Sequence, residues 1–587
     1  MVENRKVFIC ICTYILNMGY TVNRKQRASG VYVYLVKPFR EKGRIKTDQI
    51  YLGKEEIANK ILADLALKKL EHEKVLNYSG EIILSKIADR LDLVGVINQQ
   101  VTNNTEFDCG ELLKNVIVER VLHPRSKWAL ANKVYKRSVF AIQDKIAPSQ
   151  FTEDNIYNYM DYLYPRLHSI QVRLLKNLQT RFQLQIEEVI LDATSIFFYI
   201  EDPIEMEEID LVPRYGYSRD HRADLKQINL MLGVNQDYIP LFFDLFAGNT
   251  ADVAMFQQTL HLLQTSFTSF LKTIKNKYLV MDNGNISAGK FKTIVDLDKF
   301  CQKHEVHFIA GLKRSKVKAE LLAMKLDLEN PIFQYEKTEL FGYCIEKKLY
   351  GVQRKVLLYY NPRTQQREKK SFETKLARLK VAISAINHDA ELSLEVKRER
   401  IETLLRNNSA LRLFEREERG DQVKCTVKKD EKTTRLQLCG KAAIFSDNLS
   451  LTAEEMIRLY KAKSKVEHEF RLLKNEFSIR AVNHRKPTRI KTHVAIVIWG
   501  VMLVALLKYV LKQNHLEYSF EALIEVLKEG YLETGIFTHP DLNKQLQISR
   551  VKNISKELNT IFSHLGLPIN ELDIIQLAHT NQKKLIV

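Results

Sequence analysis

Residues 188–195 read EVILDATS, and residues 278–284 read YLVMDNG. Each segment begins with a short apolar run of the kind that forms a buried strand. The first run ends in Asp192 and the second in Asp282. A buried strand opens to solvent at the edge of its sheet, so an acid placed there can meet a ligand, but such an acid is often only a turn-former. The order of the neighbouring elements therefore decides how the two aspartates are interpreted.

The region from 181 to 314 predicts five strands and two helices in the order βββ-α-β-α-β. This order is the ribonuclease-H-like plan, an α/β fold with a mixed sheet in which strand one lies next to strand four. We therefore expect Asp192 and Asp282 to converge. The predicted strands are Glu188–Ser195, Leu225–Val234, Ile239–Ala247, Tyr278–Met281 and Val306–Ala310, and the predicted helices are Ala251–Leu263 and Ala288–Gln302.

A strong helix start follows much later in the chain. Thr452 and Glu455 are spaced as a capping box, with Thr452 as the N-cap and Glu455 three residues on. The helix is predicted to run to about Glu476. A second helix is predicted over Arg489–Lys512, and its apolar middle is too short to span a bilayer, which favours a buried core helix.

A third carboxylate is predicted on the first of these helices. At about 100° per residue, Tyr460, Lys463, Glu467 and Lys474 fall in one stripe beside the apolar face. Glu467 can then reach across to the strands. The alternative is an i,i+4 ion pair between Lys463 and Glu467 on a solvated face, and helix geometry alone leaves both interpretations open.

Three convergent carboxylates suit two hard divalent cations. Mg²⁺ prefers oxygen ligands and keeps part of its water shell, and Mn²⁺ can substitute for it. Two such ions about 3.5–4 Å apart can activate the attacking oxygen and stabilise the leaving oxygen in phosphodiester cleavage. The expected ligands are Asp192, Asp282 and Glu467.

The charge of the chain favours a polyanion partner. The 90 Lys and Arg residues exceed the 71 Asp and Glu residues, giving a net charge of +19. Residues 1–50 and 461–491 each hold ten basic and three acidic residues. Two dense basic runs favour a nucleic-acid surface over a solvated face, and an acidic membrane surface is the weaker alternative. Residues 31–52 predict a β-hairpin whose basic tip contains Arg40, Lys42 and Arg44.

The seven cysteines are scattered, and none forms a C-x-x-C pair. This spacing favours a reducing compartment over a disulfide framework or a zinc ribbon. The apolar stretch Val7–Met18 is too short to span a membrane, and no small-residue cleavage site follows it. A true start at Met18 is our hypothesis for this segment.

Six regions are predicted along the chain. The division rests on composition, periodicity and charge. The regions are a DNA-binding part with the hairpin (1–110), a helical linker (111–180), the first part of the catalytic core (181–314), an insertion with strands and a long helical hairpin (315–446), the second part of the core with the Glu467 helix (447–512), and a small helical tail (513–587).

Five ordered sequence blocks resemble one family. Tyr460-x2-Lys463-x3-Glu467-x6-Lys474 is similar to the Y-x2-R-x3-E-x6-K signature of a superfamily of bacterial insertion-sequence DDE transposases. The other four blocks are the segment 216–227, the pair 239–241 and 248–252, Asp192-Ala-Thr, which is similar to the family's first catalytic block, and Met281-Asp-Asn-Gly, which is similar to the second. The resemblance covers roughly 185–315 and 440–512.

The resemblance implies a DNA transposase. Such an enzyme binds the terminal inverted repeats of an insertion sequence, cleaves at its ends with Mg²⁺ and transfers the freed 3′-OH ends into target DNA. It also implies the catalytic triad Asp192, Asp282 and Glu467, a homodimer that pairs two ends, and a cytoplasmic, nucleoid-associated location in a bacterium. The expected DNA-binding residues are Tyr460, Lys463, Lys474, Arg471, Arg219, Arg222, Arg40, Lys42 and Arg44.

Two departures and two alternatives accompany this prediction. Lys463 stands where the family usually has arginine, and a lysine cannot make the bidentate phosphate contact. The segment 236–238 stands where the family usually has glycine. Arg219 and Arg222 either line the DNA path or support the active site. The alternatives to a transposase are a catalytically inactive DNA-binding regulator and a ribonuclease-H-like structure-specific nuclease.

Overall fold

The computed structural model describes residues 21–41, 44–66, 71–101, 107–143, 145–199, 213–220, 222–274, 276–282, 292–335, 337–463, 484–539, 544–567 and 573–576. Within these ranges the protein is a mixed α/β structure with one large mixed sheet, as the sequence predicts. This arrangement is consistent with a ribonuclease-H-like fold. The hypotheses about a signal segment and a start at Met18 concern residues outside the described ranges.

The N-terminal region begins with a three-stranded antiparallel sheet. Its second and third strands form the predicted hairpin, in which Glu41 lies opposite Arg44. Helices follow, as predicted, but the short strand Glu71–Asn77 lies between the first helix and the next one. The elements are β1 (Thr21–Arg27), β2 (Gly30–Glu41), β3 (Arg44–Lys54), α1 (Glu55–Ala66), β4 (Glu71–Asn77), α2 (Ser79–Leu91), α3 (Leu93–Asn98), α4 (Cys109–Leu122), α5 (Glu153–Leu163) and α6 (Leu167–Arg181).

The region from 181 to 314 contains the five predicted strands. Their residues are almost all buried, because apolar runs of this kind form strands that are covered on both faces. The elements are β5 (Glu188–Phe197), β6 (Gln227–Asn235), β7 (Pro240–Ala247), α7 (Asp252–Ser266), α8 (Thr268–Thr273), β8 (Tyr278–Met281), α9 (Lys292–His304) and β9 (His307–Leu312).

The insertion contains the predicted strands and the long helical hairpin. The sequence pattern predicts strands in the flanks of the insertion, Phe341–Tyr360 and Val423–Phe445, and the second flank also contains a helix between its two strands. The helix begins at Lys429 because the segment 428–436 is too polar to pack on both faces of a sheet. The elements are α10 (Lys318–Ala323), β10 (Phe333–Tyr335), β11 (Thr338–Leu349), β12 (Val352–Tyr360), α11 (Pro362–His388), α12 (Leu394–Asn407), β13 (Phe414–Arg419), β14 (Gln422–Val427), α13 (Lys429–Leu438) and β15 (Lys441–Ser446).

The large sheet has nine strands in the order β10-β11-β12-β15-β9-β8-β5-β6-β7. Strand β8 lies between β5 and β9 and is parallel to both, while β6 is antiparallel to β5. Strand β15 pairs antiparallel with β9, so the edge strands of the insertion extend the same sheet. The helical hairpin of α11 and α12 has a small apolar core of its own, which includes Leu379 and Ile401.

The C-terminal part differs from the predicted helical tail. Three strands lie among its helices, and they pair with β4 from the N-terminal region in the order β18-β17-β16-β4. The pairing of β4 with β16 spans more than 450 residues of chain, which local periodicity cannot show, while the hairpin of β16 and β17 joins neighbouring strands and was missed. The elements are α14 (described over 453–463), α15 (Pro487–Lys512), α16 (Phe520–Leu527), β16 (Tyr531–His539), β17 (Lys544–Lys552), α17 (Lys556–His564) and β18 (Asp573–Gln576).

Helix α15 is a central element of the core. It is the one helix of the described chain that is long and apolar enough to cross a membrane, and 83% of its most apolar window is buried inside the protein. Trp499 in its middle is buried, and the helix packs against α2, α4 and α5. The prediction of a buried core helix is therefore confirmed, although the expectation that its apolar part is too short to span a bilayer is wrong.

Candidate active site

Asp192 lies within β5 and not at its end. The strand continues to Phe197, which corrects the expectation that it stops at the acid. Asp192 is nevertheless the one residue of β5 that is not fully buried. The pairing of β5 with β8 ends at Ile190, so the acid lies just beyond the last residue that β8 covers. The opening of the sheet thus occurs where the neighbouring strand ends.

Asp282 follows β8 directly, as the sequence predicts. The parallel register of the two strands places Ile190 opposite Val280. The same offset, carried two residues further, aligns Asp192 with Asp282. The structure therefore brings the two predicted acids to one edge of the sheet, and the side chain of Asp282 is the more exposed of the two.

Lys463 joins the two acids from α14. Its Nζ lies 3.4 Å from Oδ2 of Asp282 and 4.0 Å from Oδ1 of Asp192. Only 8% of its side chain is exposed. The hydroxyl of Tyr460, one turn earlier, donates a hydrogen bond of 3.5 Å to Oδ1 of Asp282. Two residues of the predicted stripe thus contact the acids directly.

The predicted capping box positions α14. The amide of Glu455 donates to Oγ1 of Thr452 at 3.2 Å, and the amide of Thr452 donates to Oε2 of Glu455 at 2.9 Å. The buried residues Met456 and Leu459 pack into the cluster that contains Ile309 and Leu357 of the sheet. This packing sets Tyr460 and Lys463 against the sheet edge.

Three predicted residues of this helix lie outside the described residues: Glu467, Arg471 and Lys474. Their roles stay predictions. The burial of Lys463 does bear on the alternative of an ion pair on a solvated face. Lys463 does not lie on a solvated face, because it is buried beside the two aspartates, whereas its pairing with Glu467 concerns a residue outside the described ranges.

A cavity of about 490 Å³ opens beside Asp282 and Tyr460. Its wall includes Lys313 and Arg314, which directly follow β9, and Tyr359 of β12. Burial raises the pKa of Tyr359 to about 12, so its hydroxyl stays neutral. Arg314 is oriented by Glu368 of α11 at 2.8 Å.

The sequence analysis missed Lys313 and Arg314. The sequence does contain a signal for them, because these two basic residues directly follow the fifth strand of the core and therefore lie at the same sheet edge as the acids.

Arg219 and Arg222 have different surroundings. The guanidinium of Arg219 pairs with Asp252 at the start of α7 and lies 3.5 Å from Oγ of Ser195, three residues beyond Asp192 on β5. Arg222 is more exposed, pairs with Asp224 at 2.8 Å and lies over the ring of Phe197. These contacts favour a supporting role for Arg219 and a surface role for Arg222.

The three basic residues of the hairpin tip are placed only in part. Arg40 belongs to β2 and Arg44 to β3, and Lys42 lies outside the described residues. Their contact with DNA stays a prediction.

The model of the family described as "Transposase DDE domain" matches residues 185–503, more than half of the 587-residue chain. The chain belongs to the DDE transposase family. The matched region of this transposase contains Asp192, Asp282 and Lys463 together with the whole insertion. The resemblance inferred from the sequence is therefore confirmed.

Two further comparisons say less about this transposase. No curated protein matches it. Among solved structures, it is similar to one titled "Mos1 transposase paired-end complex with left transposon end", with 14% sequence identity and a TM-score of 0.15. The match covers 35% of this chain and 60% of that one, so the transposase spans less than two thirds of the neighbour's length.

Proposed function

We propose that this transposase binds the terminal inverted repeats of an insertion sequence, cleaves the DNA at those ends and joins the freed 3′-OH ends to target DNA. The observation that carries the proposal is the meeting of Asp192, Asp282 and Lys463 at one sheet edge in a chain of the DDE family. Acids and a cation in this arrangement suit phosphodiester chemistry.

The donor set of the site fits divalent cations. Asp192 and Asp282 offer carboxylate oxygens, which are the ligands that Mg²⁺ and Mn²⁺ prefer. Both carboxylates lie beside the ammonium of Lys463, so their negative charge already attracts a cation. We propose that Glu467 is the third ligand. When bound, two divalent ions would lower the pKa of the attacking water and stabilise the leaving oxygen.

The residues around the acids have a separate task. Lys463 and Tyr460 would hold the phosphate next to the bond that breaks, since an ammonium and a hydroxyl both donate to phosphate oxygens. In the cleavage step, water adds to phosphorus and the P–O3′ bond breaks, leaving a 3′-OH and a 5′-phosphate. In the joining step, that 3′-OH attacks a target phosphodiester and displaces a 3′-OH of the target strand.

The basic wall of the cavity supports a path for DNA. Lys313 and Arg314 lie beside Asp282 at the end of β9, and positive side chains at such a place bind phosphates without reading bases. We propose that the strand to be cleaved runs along this wall. The hairpin of β2 and β3, the basic residues Arg471 and Lys474, and the exposed Arg222 would then contact DNA further from the bond. The paired ends would be held by a homodimer.

The proposal is tested with the gene and its flanking DNA. Inverted repeats with a short target duplication outside them identify the substrate. Purified protein with Mg²⁺ should cleave a duplex that carries these repeats, and the cleaved ends should join to a plasmid. Glu467→Gln should remove both steps and leave end binding intact. Cleavage without joining would favour the structure-specific nuclease, and end binding without cleavage would favour the inactive regulator.

A further inference from the structure

A second group of ligand-type side chains lies on elements that take no part in the candidate active site. Glu81 is in the first turn of α2, Glu119 is in the last turn of α4, and His123 directly follows α4 as its C-cap. A carboxylate oxygen from each glutamate and a ring nitrogen of His123 all lie within 4.8 Å of one another. Nε2 of His123 is 3.7 Å from Oε1 of Glu81 and 4.0 Å from Oε2 of Glu119.

The two carboxyl groups are buried, and three of their oxygens lack a well-placed hydrogen-bond donor. The side chains of Glu81 and Glu119 are 3% and 1% exposed. Oε1 of Glu81 and both oxygens of Glu119 meet no donor with full hydrogen-bond geometry, and the side chain of Ser138 is a weaker partner of Glu119. A buried carboxylate without such partners is costly, so native proteins pair it, protonate it or bind it to a metal.

Within the described residues, Glu81 and Glu119 lie within ion-pair distance of His123 and of no lysine or arginine. A divalent cation would neutralise two carboxylates completely.

We propose that Glu81, Glu119 and His123 hold a structural divalent transition-metal ion, with Zn²⁺ as the favoured species. One imidazole nitrogen and two carboxylate oxygens are ligands that zinc binds at roughly 2.0–2.2 Å, and small side-chain rotations bring the three donors to one ion. Mg²⁺ fits less well, because it prefers oxygen ligands and keeps several waters, which a buried cluster cannot hold.

Asn77 provides the fourth ligand. Its Nδ2 lies 3.0 Å from Nε2 of His123. The two atoms of an amide differ only by a half-turn of the group, so with the amide turned over Oδ1 faces the ion instead. Four donors then complete the closed tetrahedral shell that structural zinc sites have.

The place of the cluster gives the ion a task. Asn77 is the last residue of β4 and lies opposite Tyr531 of β16, and the amide of Ser79 donates to the carbonyl of Gly530 at 3.2 Å. The ion would therefore join the C-terminal sheet to helices α2 and α4. This inference does not depend on the proposed catalytic site.

The test uses full-length protein with Asp192→Asn and Asp282→Asn, so that the proposed catalytic site cannot hold the metal. After chelation and dialysis, this protein should bind one equivalent of Zn²⁺ and unfold at a higher temperature when the ion is present. Adding Glu119→Gln should weaken Zn²⁺ binding at least about tenfold and abolish the thermal shift. Asp89→Asn, an exposed change on α2, is the matched control and should alter neither.

A second measurement tests the inference even if the Glu119→Gln protein does not fold. X-ray absorption at the zinc edge of the protein with intact Glu119 should show only nitrogen and oxygen ligands, including one imidazole. Sulfur ligands, no bound zinc, or zinc binding unchanged in a folded Glu119→Gln protein would each overturn the proposed site.

Discussion

Nζ of Lys463 lies 3.4 Å from Oδ2 of Asp282, although the insertion of more than 100 residues separates the two in the chain. The contact exists because β15 pairs with β9 and returns the chain to the sheet edge, where α14 begins. The insertion thus leaves and re-enters the core on the same side. The geometry of the acids depends on this return.

The first prediction concerns Lys463. Lys463→Gln should lower cleavage roughly 10–100-fold, because a charged hydrogen bond of about 1.5–3 kcal/mol to a phosphate is lost. Lys463→Arg, which restores the residue usual in the family, should retain most activity. Cleavage rates at several salt concentrations measure the effect. Arg458→Gln changes the same charge on the exposed face of α14 and serves as the control. Equal loss in both variants would show that only the overall charge matters.

The second prediction distinguishes the two roles that the sequence leaves open for Arg219, which are lining the DNA path and supporting the active site. Because its guanidinium pairs with Asp252 and lies near Ser195, Arg219→Ala should reduce cleavage and leave the affinity for DNA ends within roughly threefold. Binding by fluorescence anisotropy and cleavage by gel measure the two quantities separately. If Arg219 lines the DNA path instead, binding falls with cleavage and its salt dependence becomes shallower.

The capping box gives a prediction about stability. Thr452→Ala should lower the free energy of unfolding by about 0.5–2 kcal/mol, because the amide of Glu455 loses its acceptor. Thr452→Ser keeps the hydroxyl and should be close to wild type. Urea unfolding followed by circular dichroism checks this result. Equal stability of the alanine and serine variants would show that the Thr452 cap does not stabilise the protein.

The environment of Asp244 predicts that the stability of the protein depends on pH. This acid of β7 is buried, which opposes its ionisation, but His168 and Lys491 outweigh burial and lower its pKa below the usual 3.8. Its contribution to stability is therefore present above pH 3.8 and is lost as the pH falls through the lower folded value. Asp244→Asn should lower the free energy of unfolding at pH 7 by about 1.5–3 kcal/mol and flatten its dependence on acid pH. If urea titrations show that the Asp244→Asn protein loses stability on acidification as steeply as wild type, this assignment is wrong.

The strands and the acids of the core were predictable, because they follow from local pattern. Buried strands are apolar runs, and the acids stand out within them. The register that aligns Asp192 with Asp282 is a property of two paired strands, so the sequence could only suggest it. Asp192 also shows a limit of prediction from local pattern. Strand β5 continues past this acid, and the strand that ends at this point is the neighbouring β8.

Long-range pairing explains what the sequence could not show. Strand β4 reads as part of a helical region because its partner β16 lies more than 450 residues further along the chain. Strands β16 and β17 are neighbours in the chain, and their hairpin went unrecognised in the predicted helical tail. The basic pair Lys313 and Arg314 was missed for a similar reason. Its position beside Asp282 depends on β9 lying next to β8.

The most direct test of the central claim is metal-dependent cleavage by Asp192→Asn and Asp282→Asn proteins. Wild-type protein with Mg²⁺ should cut DNA that carries the element's inverted repeats and leave 3′-OH ends. Each substitution should reduce cutting at least about 100-fold, since each removes a proposed direct metal ligand, while end binding persists. Cleavage by either variant at the wild-type rate would contradict the account.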